Sequence, residues 1–263
     1  PANPTRIVVF GYVVLETLVA YGISPIGAPN DIAEALPHLA LDKETVAEIG
    51  TPRQPNLENM AALQPDLILT SKYMVSDTYP LLTQIAPTVV FDANHYREWK
   101  AITRLCGEAL GKQAETAKLA AAYEAKLQQV RAQFSQNTKP PQVSIVSISP
   151  GRIGTMGTET FAGSVLAEAD IARPPSQNQA QGPQNISLEA LDLLDGDVIF
   201  MLTPQSNIEP AQAMQAEIER VKGHPLWSQL KAVQANRVYE VGLYWWIGSY
   251  IAANLILDDL LKL

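Results

Sequence analysis

The chain has 263 residues, 47% hydrophobic and 17% charged, enough apolar material for one large α/β core or two smaller ones, which excludes a disordered or a small disulfide-stapled protein. Its 19 Lys and Arg against 27 Asp and Glu give a net charge of −8, so it has no general attraction to nucleic acid or anionic lipid, and an anionic ligand must be met by local positive charge. Cys106 alone cannot make an internal disulfide, and no stretch reaches the roughly 20 apolar residues of a membrane span, so a soluble chain is expected.

Short apolar runs occur in chain order at Ile7–Phe10, Leu67–Leu69, Val89–Phe91, Val143–Ile148, Val198–Leu202 and Val238–Val241, with helical patterns between them. They predict β-strands buried on both faces, as in parallel sheets with helical crossovers, in two groups of three. Between the groups, Lys112 to Gln136 holds neither Gly nor Pro and places Leu119, Ala122, Tyr123, Leu127, Val130 and Phe134 on one stripe. This predicts one long amphipathic helix, ended by Pro140-Pro141. The fold class is therefore α/β: two Rossmann-like lobes with mainly parallel sheets joined by one long helix, with domains at 1–111, 112–137 and 138–263.

An internal repeat supports two lobes. At a constant offset of 131 residues, Leu57-Glu58 corresponds to Leu188-Glu189, Met60 to Leu191, Leu63 to Leu194, Asp66 to Asp197, and Leu67-Ile68-Leu69 to Val198-Ile199-Phe200. A second match pairs Pro80-Leu81 with Pro225-Leu226. Chance likeness between helix–turn–strand units is the alternative, and two matches in the same order weaken it.

Ligands of open parallel sheets bind beyond the carboxyl ends of the strands. There the sequence places Tyr12, Lys72 and Tyr73 in the first half, and Arg152, Tyr244, Trp245 and Trp246 in the second; Arg53 lies in a turn-rich approach to the Asn56 helix. Aromatic faces with guanidinium and ammonium groups suit a partly apolar ligand carrying negative charge or polarised oxygens. A core position for Trp246 and a merely solvated Lys72 stay open. An enzyme is disfavoured: no Gly-Lys-Ser/Thr phosphate loop, no G-x-G-x-x-G and no G-x-S-x-G elbow occurs. His38 and His224 read as loop residues, Glu16 and Glu58 as helical glutamates without an evident partner, and only His95 falls at a strand end, which weakens a bare-metal site.

The chain resembles the iron–siderophore-binding proteins that feed ABC importers. The resemblance rests on Leu15-Glu16-Thr17-Leu18, Ile49-Gly50, Pro55-Asn56-Leu57-Glu58, Leu63-Gln64-Pro65-Asp66-Leu67-Ile68, Phe161-Ala162-Gly163-Ser164, Ile186-Ser187-Leu188-Glu189, Pro225-Leu226-Trp227 and Val238-Tyr239 through Trp245. It implies capture of an intact ferric siderophore, of hydroxamate or citrate-hydroxamate type, in an inter-lobe cleft and delivery to a membrane permease, with no cofactor and no metal ligated by the protein. It also implies that Arg53 and Tyr73 donate to chelating oxygens, that Trp245 lines the pocket, and that Glu58 and Glu189 dock on permease subunits. Arg152 and Lys72 would neutralise carboxylate, Trp245 and Tyr12 would cover apolar backbone, and Trp246 is a further ligand-binding candidate. The Gln/Asn-rich stretch Ser176 to Gln184 departs from ferrichrome-type relatives and favours a more polar or anionic chelate. Vitamin B12, haem or a bare metal ion is the alternative cargo. A monomer without nucleic-acid partners is expected, periplasmic or otherwise extracytoplasmic, compatible with a removed export or lipid-anchor segment before Pro1.

Overall fold

The computed structural model describes residues 4–29, 36–41, 44–51, 54–72, 78–92, 98–136, 138–179, 181–203 and 211–263. The chain divides into two compact units, Pro1–Ala122 with Ser249–Ile251, and Tyr123–Gly248 with Ala252–Leu263. Each is an α/β unit built on one five-stranded sheet.

In the first unit, β1 (Ile7–Phe10), β2 (Gly27–Ala28), β3 (Ala47–Glu48), β6 (Leu67–Ser71) and β7 (Thr88–Phe91) lie in the order β3-β2-β1-β6-β7, and every pair is parallel. Between β3 and β6, β4 (Gly50–Thr51) pairs antiparallel with β5 (Gln54–Pro55). Alternate residues of β1 serve opposite faces: Val8 and Phe10 pack with Ile68, Met60 and Leu82, which covers one face and explains why an unbroken apolar run is needed. Helix Tyr12–Ala20 packs on helix Trp99–Leu110, where the Tyr21 hydroxyl donates to the Thr103 carbonyl at 2.7 Å.

In the second unit, β8 (Val143–Ser149), β9 (Arg152–Met156), β10 (Pro183–Ile186), β11 (Val198–Leu202) and β12 (Val238–Val241) lie in the order β10-β9-β8-β11-β12. The strands β8, β11 and β12 are parallel, whereas β9 and β10 run antiparallel to their neighbours. Val146, Ile148, Ile199 and Met201 pack against Leu191, Met214, Ile218 and Trp227.

The expected α/β class, with mainly parallel sheets and one long helix, is what the structure has. The long helix runs Gln113–Ser135, and Tyr123, Leu127, Val130 and Phe134 are buried. Two members of the expected stripe differ: Leu119 is half-buried and Ala122 exposed. Ala122 lies about 100° round the helix from Tyr123, off the i, i+4, i+7 line.

Two further expectations are corrected. Each sheet has five strands rather than three, because β2 and β3 are two residues long, Gly154 and Thr155 interrupt β9, and β10 is polar and largely exposed, so none of the four carries an unbroken apolar run. The strand β12 is not buried on both faces: it is an edge strand with Tyr239 and Glu240 exposed. Nothing covers an edge strand as fully as it covers a central one.

The 131-residue repeat is visible in hydrogen bonds. The Asp66 amide donates to the Arg6 carbonyl at 3.0 Å, and its carboxylate accepts from the Thr5 amide at 2.8 Å and the Arg6 amide at 3.1 Å. The Asp197 amide likewise donates to the Gln142 carbonyl at 2.8 Å, and its carboxylate accepts from the Gln142 amide at 2.8 Å. In both units an aspartate at the head of the second central strand clips the chain entering the first. The buried Met60 and Leu191 fill equivalent places in the two cores.

Candidate functional site

The order of each sheet sets where a ligand can approach. In the first unit the chain leaves β1 in one direction to β2 and in the other to β6, so the carboxyl ends of β1 and β6 flank the switch point. Tyr12 follows β1 and opens helix Tyr12–Ala20, half-buried. Lys72 follows β6, and Asp92 follows β7. The Lys72 ammonium donates to Asp92 Oδ2 at 2.8 Å, with both side chains mostly exposed. Lys72 is thus a paired surface charge, and a solvent-exposed pair of this kind holds its partner weakly enough for a ligand carboxylate to compete. Tyr73 and His95 lie outside the described residues.

Arg53 also lies outside the described residues, but its flanks do not. The strands β4 and β5 bracket it, with Gly50 opposite Pro55 and Thr51 opposite Gln54. At φ +85°, Gly50 has a conformation that side chains disfavour, and a Cβ there would stand 2.4 Å from the Gln54 carbonyl oxygen and 2.6 Å from the Asn56 amide. The Ile49-Gly50 pair is therefore a steric requirement of the segment that carries Arg53.

In the second unit, Ser149-Pro150-Gly151-Arg152 is a tight hairpin turn and not an open loop: Ser149 pairs with Arg152, and Gly151 sits at φ +72°. A Pro followed by a Gly at positive φ is the chemistry of such a turn. Arg152 is exposed at the carboxyl end of β8. Glu217 steadies the turn: the Arg220 guanidinium, paired with it, outweighs its burial and, with a bond from the Gly151 amide, holds its carboxyl below the ordinary value of 4.5.

The segment after β12 carries the aromatics. Trp245 has no exposed surface: its ring stacks on Phe200 with centroids 4.4 Å apart, and its Nε1 donates to Asp259 Oδ2 at 3.1 Å. Tyr244 donates its hydroxyl to the same oxygen at 2.6 Å, and burial together with that carboxylate pushes its phenol well above 10. Trp246 is half-buried. The structure therefore places Trp245 in the core of its unit, with no face toward solvent, and leaves Trp246 with surface.

Part of the Gln/Asn-rich stretch is also core. Gln177 is fully buried, accepting from the Ile145 amide at 2.8 Å and from Arg173 at 2.6 Å, and donating to Ser144 Oγ at 2.7 Å. Its side chain takes up the backbone of β8 at Ile145, just beyond where the pairing with β9 ends.

Sequence reasoning missed a carboxylate cluster in the first unit. Glu16 is completely buried in helix Tyr12–Ala20, accepts from the Ser249 hydroxyl, and lies 2.9 Å from His38 Nε2. The signal was available: Glu16 is the one charge on a helix otherwise made of Val, Leu, Thr, Tyr and Ala, and a buried carboxylate needs partners. Those partners are 22 and 233 residues away, so spacing could not name them.

Glu58 and Glu189 are both exposed in first turns. Asn56 caps the helix Leu57–Ala62, its Oδ1 accepting from the Asn59 amide at 2.9 Å. Ser187 makes no side-chain cap: its hydroxyl serves the Glu189 carboxylate instead and, helped by His224 and Arg220, holds it below its ordinary value. The turn that follows is 3₁₀, with a kink at Ala190. Among the described residues, no three His, Cys, Asp or Glu side chains gather as a metal site, and no helix is long and apolar enough to cross a membrane.

This chain belongs to the periplasmic binding protein family, whose pattern matches residues 7–243. It is 30% identical to the achromobactin-binding periplasmic protein of Dickeya dadantii, over 98% of this chain and 86% of that one. It is 28% identical to the Fe(3+) dicitrate-binding periplasmic protein FecB of Escherichia coli, over 99% of this chain and 85% of that one. Among solved structures, Staphylococcus aureus SirA complexed with staphyloferrin B superposes with a TM-score of 0.83 at 26% identity, covering 99% of this chain and 92% of that one.

Proposed function

We propose that this protein captures a ferric siderophore outside the cytoplasm and delivers it to the permease of an ABC importer. The observation that carries the reading is likeness along nearly the whole chain to proteins named for binding achromobactin and Fe(3+) dicitrate. The cargo is an intact chelate, so the protein supplies outer-sphere hydrogen bonds and aromatic wall. Arg53 and Tyr73 donate to chelating oxygens, Arg152 and Lys72 meet carboxylate, and Tyr12 and Trp246 cover apolar parts. Trp245 supports this wall from behind. Carboxylate-bearing chelates are favoured over purely neutral ones because Lys72 can exchange Asp92 for a ligand carboxylate at little cost. Glu58 and Glu189 present two carboxylates to cationic pockets of the permease. The protein acts as a monomer, exported and either free or lipid-anchored.

The test is a titration of the purified protein with ferric citrate and with ferric desferrioxamine, read by quenching of intrinsic tryptophan fluorescence. Saturable binding at about 0.01 to 1 μM, roughly −11 to −8 kcal/mol, is expected for at least one of them. Arg53→Ala should weaken it by about tenfold or more, the scale of one lost charge-assisted bond. Saturation by haem, cobalamin or chelator-free metal, with neither ferric chelate binding, would overturn the reading.

A further inference from the structure

We infer that Asp259 is a positioning residue that decides which of the two adjacent tryptophans after β12 meets the ligand: it locks Trp245 inward and so presents Trp246. The inference rests on the proposed chelate-binding role and adds to it a residue far from the strand ends in sequence.

One carboxylate organises the whole segment. Its Oδ2 accepts from the Tyr244 hydroxyl at 2.6 Å and from Trp245 Nε1 at 3.1 Å, while Oδ1 accepts from Lys262 Nζ at 2.8 Å. Asp259 lies on the last helix, Tyr250–Leu261, and its side chain is only 13% exposed, so these bonds work in a partly desolvated place where a charge-assisted bond is strong. Tyr244 stays a neutral donor because its phenol is held far above physiological pH. Residues 243–245 form a 3₁₀ turn and Trp246 caps it in right-handed helical conformation, so the side chains of 245 and 246 point about 100–120° apart. Trp245 and Trp246 therefore cannot face the same way. Fixing the first by a hydrogen bond and by its stack on Phe200 fixes the direction of the second before any ligand arrives. A ring held in place in advance spares the ligand the cost of ordering it.

Four variants test this: Trp246→Phe, Trp245→Phe, Asp259→Ala and Asp259→Asn. Each is measured for thermal stability, for acrylamide quenching without ligand, and for titration with ferric citrate and ferric desferrioxamine at a temperature where it is folded. Without ligand, Asp259→Ala should expose a second tryptophan to acrylamide. With ligand, Trp246→Phe should lose most of the chelate-induced quenching, and Trp245→Phe should retain the larger part of it. Asp259→Ala should bind about tenfold more weakly, near 1.4 kcal/mol, with Asp259→Asn between it and the parent because an amide oxygen can still accept from Tyr244 and Trp245 but carries no charge and loses Lys262. A purely structural role would lower the melting temperature of Asp259→Ala and leave affinity and acrylamide access as in the parent. That result, or quenching that follows Trp245 instead of Trp246, overturns the inference while leaving the proposed function standing. Failure of the parent protein to bind either chelate overturns both.

Discussion

The two units solve one problem with different means. In each, an aspartate heads the second central strand and clips the chain entering the first, yet Asp66 receives two backbone amides and the Thr5 hydroxyl where Asp197 receives one amide. The first sheet is wholly parallel and reaches its strand ends through helices, whereas the second turns straight back through Pro150-Gly151 and continues antiparallel. The strand-end regions also differ in their buried anchor. Glu16 in the first unit is wholly enclosed with His38 and Ser249; Asp259 in the second keeps some exposure and holds Tyr244, Trp245 and Lys262. The repeated part is backbone architecture, and the part that diverged is what stands at the carboxyl ends of the strands. A repeated helix–turn–strand unit can thus carry unlike groups at its strand ends.

The largest effect should come from the enclosed anchor. Glu16→Ala removes the acceptor of Ser249 and the partner of His38 from a fully buried position, and a loss of about 3–5 kcal/mol is expected in denaturant unfolding. Should the loss match that of a surface carboxylate, the contrast between the two anchors would fail. Next comes Gly50→Ala, which forces a Cβ against two backbone atoms at positive φ. It should cost about 2 kcal/mol by local strain and weaken ferric-chelate binding, because β4 and β5 bracket Arg53.

The two clips come third. Asp66→Ala and Asp197→Ala should each lose about 1–2 kcal/mol, with the first at the upper end because more donors are orphaned. The clip in the first unit also predicts an acid response. Desolvation alone would raise the Asp66 carboxyl, but bonds from Thr5 and Arg6 outweigh it and hold it below its ordinary 3.8. A group lowered in the fold contributes stability that is full above the unfolded value and fades as pH falls through the folded one. Asp66→Asn should therefore flatten the pH dependence of unfolding below about pH 4, the range where carboxylates titrate. Smallest in stability are Glu58→Ala and Glu189→Ala, exposed positions expected to shift unfolding by under about 0.5 kcal/mol. Glu189 should move it more than Glu58, since a bond from the Ser187 hydroxyl holds its carboxylate; both should impair delivery in a reconstituted transport assay.

How much could be read in advance depended on where each group finds its partner. The central strands Ile7–Phe10 and Val198–Leu202 appeared at their observed bounds because burial on both faces demands an unbroken apolar run. The short strands β2 and β3 and the polar β10 carry no such demand. The long helix was legible from its stripe, and its ends fell within one residue of the Gly- and Pro-free stretch. At the strand ends, residue type pointed to Tyr12, Lys72, Arg152 and the tandem tryptophans, but not to Asp92 beside Lys72, nor to which tryptophan is enclosed.

The amino-acid order alone determined the α/β class, the repeat, the long helix and which residues follow the central strands, since each follows from periodicity or spacing over a few residues. Only the tertiary structure decided that Glu16 closes on His38 and Ser249, that Gln177 plugs a sheet edge, and that Asp259 draws Trp245 inward. Hydrogen bonds between side chains far apart along the chain leave no periodic trace. They depend on the meeting of surfaces that folding alone brings together.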